Sequence, residues 1–174
     1  MPVMKNFLAV VLIGLTAVGC GRSKTPAAPP PPTPMPPPQQ LYYDNGGGIR
    51  DSTRMVIRDA QTFSAQWARA TGSQTSPPPI PTIDFTRQMV ILVAAGRKTP
   101  EDQIHVDSLL VRPETRPDGT REETLTIVVR SVEACRRLRT EAFPLEIVSA
   151  RRFTGPIKWD DRPDRSNCRG TERP

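Results

Sequence analysis

Apolar and polar positions along this chain fall into short blocks that lay out most of its elements. Over 46–59, three glycines precede a period-two pattern. Met55 and Ile57 point one way, and Arg54, Val56 and Arg58 the other, which predicts a half-buried strand. Asp59 is a side-chain acceptor placed to cap a helix over Ala60–Thr71. Phe63, Trp67 and Ala70 share one face of that helix, and Gly72 follows it as a stop signal. A polar, proline-containing loop covers Ser73–Pro81. The unbroken apolar run Met89–Ala95, ending at Gly96, predicts a central strand covered on both faces.

After a polar loop over Arg97–Gln103, alternation returns across Ile104–Arg112, with Ile104, Val106 and Leu110 expected on one face. Pro117-Asp118-Gly119-Thr120 is a turn signal. It leads to a return strand over Thr124–Arg130 with Leu125, Ile127 and Val129 inward. Leu145–Ala150 and Phe153–Trp159 read as a final pair of short strands. The sum is an α+β domain: one helix packed on a mostly antiparallel β-sheet of about six strands. The hairpin signals and the lack of further helices argue against a doubly wound parallel sheet.

The first residues follow a different logic. Lys5 precedes an apolar run from Phe7 to Leu15 that is too short to span a bilayer, and small residues lead to Gly19-Cys20. Leu15-Thr16-Ala17-Val18-Gly19-Cys20 resembles a bacterial lipobox, with Ala17 where a leucine is usual. The resemblance implies a signal peptide over 1–19 and a lipidated Cys20, hence a membrane anchor outside the cytoplasm. Gly21, in place of an inner-membrane retention aspartate, leaves outer-membrane sorting open. Residues 25–40 are rich in proline and carry no charge, which predicts an extended spacer without a core of its own. A tether over 20–48 would then lead to a domain over 49–168 and a tail over 169–174.

Composition narrows the function. The chain has 174 residues and a formal net charge of +6, part of which leaves with Lys5 in the leader. Arginines crowd the last third, among them Arg136, Arg137, Arg139, Arg151, Arg152 and Arg165. Aromatics do not interleave with them, so the stacking platform of a nucleic-acid binder is missing. The basic face reads either as a solvated surface or as an attraction to anionic lipid heads or an acidic protein. With Cys20 assigned to the anchor, an exported domain with Cys135 and Cys168 invites one disulfide.

No constellation of residues supports catalysis, a metal or another cofactor. His105 and Asp107 would share a strand face with Ser108 pointing away, which rules out a triad of these three. Asp160, Asp161 and Asp164 form an acidic knot beside Arg162 and Arg165 without the spacing of a calcium loop, so ion pairing is expected.

Three stretches together resemble a known family: Ser52–Asp59, then Phe63-Ser64-Ala65-Gln66-Trp67, then Pro81–Leu92 with its Ile-Asp-Phe and Met-Val-Ile-Leu pieces. They are similar to the C-terminal domain of the protease complex subunit PrcB family, over roughly 49–168. That resemblance implies a non-catalytic domain that associates with and stabilises a surface protease. It also agrees with cysteines at 135 and 168. One loop departs from the family: its Thr-x-Gly-Tyr pattern is replaced here by Arg97-Lys98-Thr99-Pro100-Glu101-Asp102. The expected function is therefore a membrane-anchored lipoprotein that binds or stabilises another envelope protein. Alternatives are a protease inhibitor or a binder of an anionic envelope polymer. Expected contact residues are Arg97, Lys98, Arg136, Arg137, Arg151 and Arg152, presented with the loop Ser73–Pro81.

Overall fold

A computed structural model describes residues 30–135, 139–165 and 168. Cys20, Arg136, Arg137 and the tail 169–174 lie outside the described residues. The fold is α+β, with one helix on a mostly antiparallel β framework. The eight strands among the described residues divide between two four-stranded sheets. Strands β1 (Thr33–Pro34), β5 (Gln103–Thr115), β6 (Arg121–Val132) and β8 (Ile157–Asp164) form the first sheet, in that spatial order. Strands β2 (Gln39–Asp44), β7 (Leu145–Arg151), β4 (Gln88–Ala95) and β3 (Ser52–Ile57) form the second. Helix α1 (Ala60–Thr71) covers the outer face of the second sheet.

The β4 sequence explains the three layers. Successive side chains of a strand point to opposite faces. Met89, Ile91 and Val93 therefore face the first sheet, meeting Ile104, Leu109, Leu125, Ile127 and Val129. Val90, Leu92 and Ala94 face the helix, meeting Phe63, Trp67 and Ala70. A strand apolar on both faces is the price of sitting between two layers, and each such side chain contributes about 1.5–3 kcal/mol on burial. The helix begins where Asp59 accepts a hydrogen bond from the Thr62 N–H at 2.8 Å. Trp67 is held by an edge contact with Phe63 and donates to the Pro78 carbonyl at 3.2 Å. That bond ties the proline loop Ser73–Pro81 down onto the helix.

Four expectations need correction. The tether does not extend to residue 48, because β1 pairs with β5 and β2 pairs with β7. Met35 enters the core between the sheets, so the last prolines are extended chain laid on the domain and not a free spacer. Leu109, not Leu110, is the buried partner of Ile104 and Val106. A bulge between Val106 and Ser108 adds a residue at Asp107 and shifts the alternation by one. Finally, β7 and β8 do not pair with each other. β7 pairs with β2 and β4, while β8 runs parallel to β6. The crossover that a parallel pair requires is supplied by β7 in the opposite sheet.

The hairpin turn stands as read: Gly119 has φ +83°, and the Arg116 N–H donates to the Thr120 carbonyl at 2.8 Å. The acidic knot on β8 is engaged in ion pairs, Asp161 with Arg54 at 2.6 Å and Asp160 with Arg162 at 2.6 Å. Charges and Pro163 on this outer strand also discourage edge-to-edge pairing with another chain.

Candidate functional site

One end of the sandwich carries a cleft of about 410 Å³ lined by two loops and by the segment that follows β6. Its position follows from the strand register. Gln103 pairs with Val132 at the open end of the β5–β6 hairpin, and the cleft residues Asp102, Glu133 and Ala134 continue from that pair. The other wall is the loop after β4. Gly96 turns the chain there with φ +72°, and a side chain at that position would meet the Ser52 nitrogen at 3.0 Å. The turn delivers Arg97 and Lys98.

This loop is pinned from three sides. Lys98 and Ala142 exchange two backbone hydrogen bonds of 2.9 Å. Asn45 donates to the Pro100 carbonyl at 3.3 Å. Asp102 accepts from the Thr99 N–H at 2.7 Å, from the Thr99 hydroxyl at 3.0 Å and from the Ala134 N–H at 2.7 Å. Burial of Asp102 would raise its pKa. The hydrogen bonds from Ala134 and Thr99, helped by the Lys98 charge, outweigh that and hold the carboxyl below its ordinary value.

The cleft also explains the disulfide. Cys135 and Cys168 are joined, with their Cα atoms 5.2 Å apart. The bridge ties the segment after β8 to the segment after β6. Arg165 on one side and Glu133 on the other meet in an ion pair at 2.5 Å. Arg97 and Glu141 make a second pair at 2.9 Å. Among the described residues, the Lys98 ammonium and the exposed Arg139 guanidinium make no ion pair or hydrogen bond, although both line the cleft.

Of the expected contact residues, the structure brings Arg97 and Lys98 to the cleft and places Arg151 and Arg152 elsewhere. Arg151 pairs with Gln88 at the first residue of β4, whereas Arg97 follows its last. Seven steps along a strand separate these ends, roughly 20–25 Å at about 3.3 Å per residue. Arg152 is committed to the fold: its guanidinium donates to the Phe85 carbonyl and its N–H to the Arg87 carbonyl at 2.7 Å.

Sequence reasoning missed a polar group beside the cleft. Glu146 points between the sheets at 4% exposure and accepts from the Val106 N–H at 2.6 Å. Its other oxygen lies 3.3 Å from His105 Nδ1. His105 stacks on Tyr43, with ring centroids 5.1 Å apart, and its Nε2 lies 3.2 Å from Gln103 Oε1. Val106 adjoins the bulge, so Glu146 takes a backbone donor that the interrupted ladder leaves available. A lone carboxylate in the apolar run Leu145–Ala150 was the signal that could have revealed it. No protein-family model matches the chain, and neither a curated protein nor a solved structure matches it.

Proposed function

We propose that this protein is a lipid-anchored, exported partner-binding protein that holds a segment of another envelope protein in the cleft at the end of the domain away from the membrane. The observation that carries the reading is the register of β1. Thr33 pairs with Val111 and Pro34 with Leu110, antiparallel to β5. Traced toward the N-terminus, the chain therefore heads for the β5–β6 turn and away from the cleft. From Val111 back to Gln103 is roughly 26 Å of strand at about 3.3 Å per residue. A chain anchored through Cys20 would thus present the cleft outward.

With β1 docked, Gly21–Pro32 spans at most roughly 37 Å at about 3.1 Å per residue. That keeps the domain near the membrane and favours a partner that also sits there. The similarity to the PrcB C-terminal domain supports a protein partner, a surface protease among the candidates. The altered Arg97–Asp102 loop would give this chain a contact of its own.

The test is in-cell photocrosslinking from position 140 in the cleft, with position 118 in the β5–β6 turn as the control. The expected result is an envelope protein captured from 140 and not from 118. Capture of no protein above background from 140, or equal capture from both, overturns the reading. Retention of a Cys20→Ser variant in the membrane fraction overturns the lipid anchor.

A further inference from the structure

We infer that the cleft recognises a carboxylate on the partner segment, gripped by Lys98 and Arg139 between the two ion pairs of its walls. This rests on the reading that the partner is a protein. The lining contains four cations, Arg97, Lys98, Arg139 and Arg165, and three carboxylates, Asp102, Glu133 and Glu141. Every one of those carboxylates has its donors. Asp102 has Thr99 and Ala134, Glu133 has Arg165, and Glu141 has Arg97. The two Arg–Glu pairs cancel and the Asp102 charge offsets part of that of Lys98, so the net positive charge of the lining resides on Lys98 and Arg139.

The chemistry of a ligand follows from this arrangement. A planar guanidinium matches a carboxylate through two parallel hydrogen bonds, and an ammonium adds a point charge. Lys98 stands on backbone fixed by its two hydrogen bonds with Ala142, so binding has to order its side chain and not the loop that carries it. The neighbouring anions Glu133 and Glu141 select against a ligand that is negative along its whole length. A uniformly anionic polymer would face them at every step, whereas a peptide with one carboxylate meets them with its neutral backbone. The cleft volume of about 410 Å³ lies in the range of clefts that enclose a small ligand. It suits a short run of extended chain, not a folded surface. Because the disulfide joins the Glu133 and Arg165 walls, the grip belongs to the oxidised protein.

The test uses the full-length chain in detergent and short fluorescent peptides with otherwise neutral side chains. One ends in a free carboxylate, one is amidated with an internal glutamate, and one is amidated and neutral. A sulfated polysaccharide is the polymer arm. The expected result is binding of a carboxylate peptide and not of the neutral one. Which of the two acidic peptides binds identifies the source as chain terminus or side chain.

The Lys98→Gln, Arg139→Gln double variant should bind about tenfold or more weakly, the effect of losing charge-assisted hydrogen bonds. Its melting temperature should fall little, since neither side chain makes a hydrogen bond or ion pair among the described residues and the Lys98 charge only assists Asp102. Equal binding of the neutral peptide, wild-type affinity in the double variant, no binding of either acidic peptide, or tighter binding of the polysaccharide overturns the inference. In cells, a partner captured equally by the double variant removes the carboxylate grip and leaves the protein-binding reading standing. Loss of affinity in vitro with no partner in cells does the reverse.

Discussion

Where the chain enters the sandwich, arginines are tied to backbone: Arg152 donates to the Phe85 carbonyl and Arg58 to that of Phe153. At the opposite end, Arg139 and Lys98 line a cleft without such partners among the described residues. Arg152 and Arg58 are thus structural, whereas Lys98 and Arg139 are available. The difference arises from what closes each end. At the entry end the carbonyls of Phe85, just before β4, and of Phe153, between β7 and β8, lie within reach of guanidinium groups. The cleft end is closed by loops that meet their backbone needs internally, through Asp102 and the Lys98–Ala142 pair, and by a disulfide. Arg97 and Arg165 are used in ion pairs there, and Lys98 and Arg139 are left without one among the described residues.

The largest effect should come from removing the strands that give the molecule its polarity. A chain beginning at Ile49 lacks β1, β2 and the buried Met35, and uncovers the edges of β5 and β7. It should show no cooperative thermal transition, while a chain beginning at Pro30 should melt like the full-length protein. A sharp transition in the shorter chain would mean that entry through β1 does not define an end.

Replacing Cys135 and Cys168 by serine should cost about 4 kcal/mol in urea unfolding, from the loop entropy of a 33-residue separation. Hydrogen exchange should locate the loosening at Lys98 and Ala134, with the β5–β6 turn unaffected. Loosening at both ends alike would erase the contrast between them.

Asp102→Asn removes a buried acceptor that serves both walls of the cleft and should cost about 1–3 kcal/mol at neutral pH. The folded pKa lies below the unfolded one, so this contribution is complete above the unfolded carboxylate range, about 3.9, and is lost as pH falls through the folded value. The stability gap between wild type and variant should hold steady from neutral pH to about 5 and close below about 4. A gap that widened in acid would reverse the sign assigned to Asp102.

At the entry end, Arg152→Ala should cost up to about 1 kcal/mol through the lost bond to Phe85, and Arg151→Ala less than about 0.5 kcal/mol. Equal losses in chemical denaturation would show that the Phe85 bond contributes nothing specific.

Local signals made the helix, the central strand and the β5–β6 turn legible. Asp59 caps where a capping residue stands, Trp67 faces the sheet, and Met89–Ala95 is apolar because it separates two cores. What escaped was long-range. The polyproline signal around Thr33–Met35 hid a strand, because backbone extended for proline's own reasons is equally able to lie along an edge. The bulge at Asp107 has no local mark, and its effect is to exchange Leu110 for Leu109 in the core. Pairing of β8 with β6 depends on a chain that crosses between sheets, and no short pattern encodes that. For the site, the loop carrying Arg97 and Lys98 was legible from its polarity. The Cys135–Cys168 bridge was legible from the two cysteines left after Cys20, whereas closure of the cleft by Arg139 and Glu141 required the fold.

The brevity of β1 has a mechanical side. A pull on the chain at Pro30 acts along the β5 axis and loads two residue pairs and the Met35 contact in shear before it reaches the longer β2. A weak link in series with a strong one yields first, so β1 should act as a fuse between the N-terminal segment and the rest of the domain. In an optical trap, extension from Pro30 should give a small early step, with Thr33–Pro38 lengthening the leash by roughly 20 Å at about 3.3–3.6 Å per residue, before the sandwich itself gives way. A single rupture with no preceding step would show that the fuse does not exist.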